Sequence, residues 1–333
     1  MTRFRLMGPL ARYTGYAVGF RGLVGRLLQC PEVDFQLRPA RGNVPPETED
    51  HLLQLIAKNG FYDSLGVVVG YPDMAEHICT RSHALYTMYE ADDIPEIWKP
   101  FVNRADEVWV PSAFCREVFG KYNPRVRVCP WGIDETLYKP RKRKPRGDFV
   151  FGAVGVQSHR KGTDVLVSAF TTAFGESDGI RLVIKTRDTK QMPVISNRQV
   201  TVIDEDWPEA RLVEFYHEID CLVQPSRGEG VGMPPLQAAM SGTPALVTNW
   251  GGPVDYIDDK GIWGIRIRGL SQAKHINALY AQWAEPDPLH LAELMQWVYE
   301  TRPKVKGDYR QWTLGNMAAS FVGCVREAGN RLR

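Results

Sequence analysis

The chain has 333 residues, 44% of them hydrophobic and 24% charged, with a formal net charge of +2. That balance excludes a disordered chain and leaves no broad excess of positive charge for nucleic acid, while the length predicts about two domains. Six widely spaced cysteines form no C-x-x-C pair, which predicts neither a zinc site nor a disulfide framework and fits a reducing, cytoplasmic setting.

The first residues, MTRFRLMGPLARYTG, lack the apolar core of a signal peptide, and no run approaches the ~18 apolar residues of a membrane span. Phe4 to Met7 predicts a short strand, Gly15-Tyr16 a turn, and Tyr16 to Leu28 a helix with Val18, Leu23, Leu27 and Leu28 on one face. Strand, glycine turn and helix form the opening unit of a nucleotide-binding sheet, although a plain surface loop fits the glycines as well. Val33 to Leu37 reads as a strand, Arg38 to Glu49 as loop, and Asp50 to Asn59 as a helix stopped by Gly60. LGVVVG (Leu65 to Gly70) is a continuous apolar run, the pattern of a buried parallel strand. His83 to Tyr89 is a further strand, followed by Glu90, Asp92 and Asp93 at the end where open α/β sheets bind ligands. Ile94 to Ala105 reads as helix and Glu107 to Val110 as strand. Ser112 is the N-cap of the next helix, and Arg125 to Pro130 a strand.

KPRKRKPRG (Lys139 to Gly147) is a charge run with no apolar residue, read as an interdomain linker over 141–147. The architecture then repeats. Phe149 to Val156 is a strand, QSHRKG a basic turn, and Thr163 to Phe174 a helix with Val165, Leu166, Ala169 and Phe170 on one face. Arg181 to Thr186, Val200 to Ile203 and Cys221 to Gln224 are strands, with a helix over Pro208 to Glu218. Leu289 to Glu300 and Gln311 to Arg331 close the chain as helices, the last one a candidate to pack back on the first domain. The predicted organisation is an N-terminal domain (1–140), the linker, a C-terminal domain (148–310) and a terminal helix (311–333). Two successive β-α-β series predict two doubly wound α/β domains.

The chemistry concentrates in Pro225 to Gly252. Gly228, Gly230 and Gly232 bracket Glu229 and lead into a helix at Pro234. Glycine lets the backbone approach a ligand, and a helix start offers unpaired N–H groups at the positive end of a dipole. The amides of Gly230, Val231, Gly232 and Met233 thus form an expected anion cradle. Gln237, about four residues into the helix or roughly 6 Å along its axis, is expected to lean towards the same mouth as Glu229. Arg160 and Lys161, in the turn after the second domain's first strand, are expected to neutralise a leaving diphosphate. Asp204-Glu205-Asp206 is a D-x-D pattern, read as a solvated turn, and no metal ligand set is assigned. His83, His159 and His217 lack metal spacing.

SRGEGVGMPPLQAAMSGTPALVTNWGGP resembles the signature of retaining glycosyltransferases of family 4. GVQSHRKGTDVLVSAF resembles their donor-phosphate loop, and VWVPSAFCREVF with VRVCPWGID the end of their first domain, so the similarity spans about residues 85–260. The resemblance implies the GT-B architecture of two facing Rossmann-like domains, a nucleoside-diphosphate sugar as donor and no metal cofactor. It implies that Glu229 lies at the donor sugar and Lys161 at its phosphates, and that Gly15 and Tyr16 belong to a first-domain phosphate loop. Gln237 stands where the family's E-x7-E pattern has its second glutamate. A neutral hydrogen bond there is worth about 0.5–1.5 kcal/mol against about 1.5–3 for a charged one. Val156 replaces the family's usual arginine, and Arg160 is the substitute. Glu90 is the candidate acceptor contact or base. The acceptor is a glycan, lipid or small molecule. A modified nucleic-acid base, favoured by the basic run, and a non-catalytic sugar-nucleotide or glycan module are the alternatives.

Overall fold

The computed structural model describes residues 1–10, 15–40, 50–142, 147–190, 192–273 and 280–331. Two compact units divide the chain: Met1–Asp134 with Arg310–Arg333, and Glu135–Lys274 with Tyr280–Tyr309. The division falls ahead of the basic run. Tyr138 and Pro140 pack within the second unit, against Gln237 and Gly242, and 143–146 of the expected linker lie outside the described residues.

The first unit comprises β1 (Thr2–Gly8), α1 (Gly15–Leu28), β2 (Val33–Pro39), α2 (Asp50–Ala57), β3 (Leu65–Val69), β4 (His83–Tyr86), α3 (Lys99–Arg104), β5 (Glu107–Val110), α4 (Ala113–Gly120) and β6 (Val126–Val128). Its strands form one parallel sheet in the order β2-β1-β3-β4-β5-β6. LGVVV of β3 is buried throughout, as its unbroken apolar run requires of a strand covered on both faces. Ser112 caps α4, its hydroxyl accepting from the Cys115 amide at 3.2 Å. The C-terminal helix (Leu314–Arg331) belongs to this unit. Its Phe321 meets the rings of Phe4, Tyr86 and Trp109 at centroid distances of 5.9, 6.1 and 5.4 Å. Gly15 and Tyr16, expected in a turn, form the first turn of α1 instead. β4 stops at Tyr86, earlier than its apolar run suggested, so Tyr89 and Glu90 follow the strand in a bend.

The second unit comprises β7 (Phe149–Val154), α5 (Thr163–Phe174), β8 (Ile180–Thr186), β9 (Val200–Asp204), α6 (Glu209–Glu218), β10 (Cys221–Gln224), α7 (Met233–Met240), β11 (Ala245–Thr248), β12 (Ile262–Ile265), β13 (Ile267–Gln272), β14 (Gln282–Pro286) and α8 (Pro288–Thr301). β7 to β12 form a parallel sheet in the order β12-β11-β10-β7-β8-β9. α5 buries the stripe Val165, Leu166, Ala169 and Phe170 against Phe149, Phe151 and Leu182 of the sheet and Leu291 and Met295 of α8. α8 starts at Pro288, with the Asp287 carboxylate accepting from the amides of Leu289 and His290. The antiparallel ribbon β13–β14 is new: IRGLSQ and QWAEP carry no clear alternation in sequence. Among the described residues no helix is long and apolar enough to cross a membrane.

The strand order reverses between β7 and β10. The loops leaving the carboxyl ends of those two strands therefore meet at the position where such sheets bind ligands. These loops are held in close backbone contact. The Arg227 amide donates to the Arg160 carbonyl at 2.7 Å, and Gly162 adopts φ +68° with its Cα against Pro225. A β-carbon at 162 would lie 2.0 Å from the Pro225 carbonyl oxygen. Gly162→Ala is therefore expected to lower the unfolding free energy by about 2 kcal/mol or more, combining left-handed strain with a backbone clash. Urea denaturation checks this, and an unchanged midpoint would show that the two loops separate freely.

Candidate functional site

The site of the second unit is built on the loops 155–162 and 225–232. Three buried side chains fix the first loop: Gln157 Nε2 donates to the Gly155 carbonyl at 2.8 Å, Thr163 donates to Gln157 Oε1 at 2.6 Å, and Thr186 Oγ1 accepts from the Gln157 backbone N–H at 3.4 Å. A short 3-10 turn, His159–Lys161, then presents its two cations side by side. In the second loop, the Gly252 amide donates to the Glu229 carbonyl at 2.9 Å and sets the backbone at the carboxylate. Gly232 opens α7 at φ +76°, its carbonyl accepting from the Tyr256 hydroxyl at 2.7 Å. An alanine methyl there would sit 2.8 Å from that hydroxyl. The helix begins with Met233-Pro234-Pro235, where proline costs no hydrogen bond.

The structure brings Glu229, Lys161 and Arg160 together. Lys161 Nζ lies 2.6 Å from Glu229 Oε1, and Arg160 Nη1 lies 3.1 Å from Oε2 and 2.7 Å from the Gly228 carbonyl. Burial alone would raise the Glu229 pKa. Lys161 first and Arg160 second outweigh it, helped by hydrogen bonds from Lys161 and Ser226, and the carboxyl is brought down to about 2. Gln224 donates to Ser226 at 2.8 Å, so a polar chain beneath the carboxylate holds its orientation. Gly230, Val231 and Gly232 are buried beside it, and Met233 is half-buried. Val156 is exposed.

Gln237 departs from expectation. Its Oε1 accepts from the Tyr216 hydroxyl at 2.9 Å and its Nε2 donates to the Tyr138 hydroxyl at 3.0 Å, both inside the fold. The side chain is turned into the packing against α6, because a tyrosine hydroxyl waits on that side for each end of the amide. The remaining predicted residues lie in the first unit. Gly15 and Tyr16 open α1; the Tyr16 hydroxyl accepts from the Met88 amide at 2.8 Å, and its ring is edge-on to Tyr71 and Trp131. Burial first, with a contribution from Glu90, pushes the Tyr16 hydroxyl well above the ordinary phenol range. Glu90 itself is half-buried just past β4.

Each side chain of the D-x-D segment is engaged locally. Asp204 accepts from Thr189 Oγ1 at 3.2 Å, Glu205 from Trp207 Nε1 at 2.6 Å, and Asp206 lies 3.9 Å from Arg187. Arg227 is the residue that motif reading missed. Its guanidinium is bidentate to Asp164 (2.9 and 2.8 Å), donates from Nε to both Glu285 oxygens (3.1 and 3.0 Å), and reaches the His159 carbonyl at 2.6 Å. Its partners lie far along the chain, so no local spacing could reveal it.

Residues 134–290, which include nearly all elements of this unit, match the family model "Glycosyl transferases group 1". A D-inositol 3-phosphate glycosyltransferase of Nocardia farcinica is 31% identical over 196 residues, covering 52% of this chain and 43% of the relative. One from Acidothermus cellulolyticus is 24% identical over 220 residues, covering 56% and 49%. The chain spans about half the length of these relatives. A glycosyltransferase structure from Rickettsia africae superposes with a TM-score of 0.70 at 13% identity over 98% of both chains. Sucrose-phosphate synthase from Thermosynechococcus elongatus gives 0.66 at 17% identity, over 100% of this chain and 97% of that one. The fold is that of the GT-B glycosyltransferases, two Rossmann-like α/β domains.

Two outcomes follow from the ion pairs. Because the folded-state pKa of Glu229 lies below its unfolded value, the ionised form stabilises the fold. That contribution is complete above about pH 5 and is lost as pH falls towards about 2. Glu229→Gln is expected to flatten the fall of unfolding free energy across that window, measured by denaturation at successive pH values; an identical slope would refute the assignment. Arg227→Met leaves two carboxylates without their cation and is expected to cost about 2 kcal/mol or more, read from the same denaturation curves.

Proposed function

We propose that the chain is a retaining glycosyltransferase of the family 4 type, which moves a sugar from a nucleoside-diphosphate sugar to an acceptor without a metal ion. The observation that carries this reading is the convergence of Lys161 and Arg160 on Glu229 at the switch point of the second unit's sheet. A diphosphate fits there by charge. Two fixed cations and the amides at the start of α7 meet the negative charge that develops as the sugar–phosphate bond breaks, the task a divalent ion performs elsewhere. They are preorganised: buried hydrogen bonds already hold the loops that carry them, so little reorganisation accompanies bond breaking. Glu229, held beside the cations, is placed to accept from donor-sugar hydroxyls.

The family match to residues 134–290 supports transfer chemistry over a purely structural role for this unit. For the acceptor, the relatives' names make a cyclitol phosphate the first compound to assay. Tyr16 and Glu90 are the first-unit residues we assign to ligand contact.

A thermal-shift screen of nucleoside diphosphates and their sugars tests the donor reading, because a ligand bound only by the folded state raises its apparent stability. At least one nucleotide sugar is expected to raise the melting temperature. Lys161→Ala and Glu229→Ala are each expected to lower transfer by about a hundredfold or more while remaining folded. Full activity in both variants would remove these residues from the site.

A further inference from the structure

Glu229 gathers both cations of the adjoining loop onto one carboxylate. Lys161 and Arg160 contact different oxygens of it, and the three side chains are only 9% to 19% exposed. These are the cations that a donor diphosphate needs. A carboxylate and a diphosphate are both anions, so one cannot take the cations fully without loosening the hold of the other.

We propose that Glu229 is a placeholder for the diphosphate and that it thereby sets the preference of the site for a sugar-bearing nucleotide over the bare nucleoside diphosphate. This rests on the donor reading above and deepens it. When a bare diphosphate draws Lys161 and Arg160 away, the Glu229 carboxylate remains buried, short of counter-charge and next to a new anion. The Ser226 bond persists but is neutral. A buried charge deprived of its partner is strongly unfavourable. When the ligand carries a sugar, its hydroxyls donate to the carboxylate in place of the lost N–H bonds, and hydrogen bonds to a charged group are among the stronger ones. The same two cations therefore bind the complete donor well and the spent nucleotide poorly. Release of the nucleoside diphosphate after transfer is built into the ion pairs of the site, with no moving segment required.

The conservative variant Glu229→Gln separates these effects. It keeps the side chain's size and its ability to accept from a sugar hydroxyl, and it removes the competing charge. With inorganic pyrophosphate as the probe, titration calorimetry is expected to give binding about tenfold or more tighter in Glu229→Gln than in the unsubstituted protein. For the nucleotide pair that gives the largest thermal shift, the ratio of sugar-bearing to bare nucleotide affinity is expected to fall towards one. The further substitution Lys161→Met is expected to abolish the pyrophosphate gain. Pyrophosphate affinity equal to or weaker than that of the unsubstituted protein, in a Glu229→Gln protein whose melting transition stays cooperative, would overturn the proposal. So would a gain that survives Lys161→Met. If pyrophosphate binds more tightly to Glu229→Gln but no nucleotide sugar binds either protein, the donor reading fails and the preference for sugar-bearing nucleotides falls with it, while the competition for cations stands.

Discussion

The Arg227 guanidinium is the constraint on which the second unit's site depends. It sits in the middle of the glycine-rich loop, almost fully buried, and its donors run to Asp164 at the start of α5, to Glu285 on β14 and to the His159 carbonyl. A planar fork with fixed donor directions specifies the relative placement of three backbone segments at once. Burial of a guanidinium would be costly alone. Two carboxylates and a carbonyl compensate it, and in return Asp164 is held below the usual carboxylate range despite partial burial. The ribbon β13–β14 gains a purpose from this: its Glu285 braces the loop, and the Ala284 amide also donates to the Arg227 carbonyl at 2.9 Å.

With that clamp in place, the neighbouring residues have few choices. The chain on either side of Arg227 is bound to the turn that carries Arg160 and Lys161, so Glu229, two residues on, must lie beside them. The charge order is alternating and local: Asp164 and Glu285 on Arg227, Arg160 and Lys161 on Glu229. The two clusters are built differently. In the first, two carboxylates and a backbone carbonyl surround one guanidinium. In the second, two cations share a single carboxylate at the carboxyl ends of β7 and β10. Charge in a low-dielectric crevice acts over a longer range than the same charge in water, which suits the capture of an anion.

Much of this was legible in the sequence. LGVVV, FVFGAV and CLVQ announce buried parallel strands by their unbroken apolar runs, and the α5 stripe fixes its inner face. The meeting of Glu229 with Lys161 follows from two separate signals, the glycines before a helix start at 228–234 and the basic turn after the first strand of the second unit. What sequence could not supply was orientation. Gly15 and Tyr16 read as a turn, yet they start α1, because a glycine suits a helix end as well as a bend. The β13–β14 ribbon pairs IRGLSQ with QWAEP, segments whose alternation is too brief to register. Arg227 was hidden in plain view. Its partners come from residues 63 and 58 positions away, and long-range pairing leaves no periodic trace.

Gln237 shows the same limit at one position, and its neighbours explain its chemistry. The site offers it one hydroxyl that donates and one that accepts: Tyr216 gives its proton to Oε1, and the Tyr138 oxygen takes one from Nε2. An amide satisfies both with its two different ends. A carboxylate could only accept. It would force Tyr138 to reverse its hydroxyl and would bring a negative charge into buried surroundings beside the neutral hydroxyls of Tyr138 and Tyr216. Tyr216 is itself fully buried, and burial pushes its hydroxyl well above the ordinary phenol range, so it stays a donor. Gln237 is therefore matched to the packing between α6 and the segment carrying Tyr138. Its amide belongs to the support of α7, while the ion pairs of Glu229 with Lys161 and Arg160 lie at the loops that precede that helix and α5.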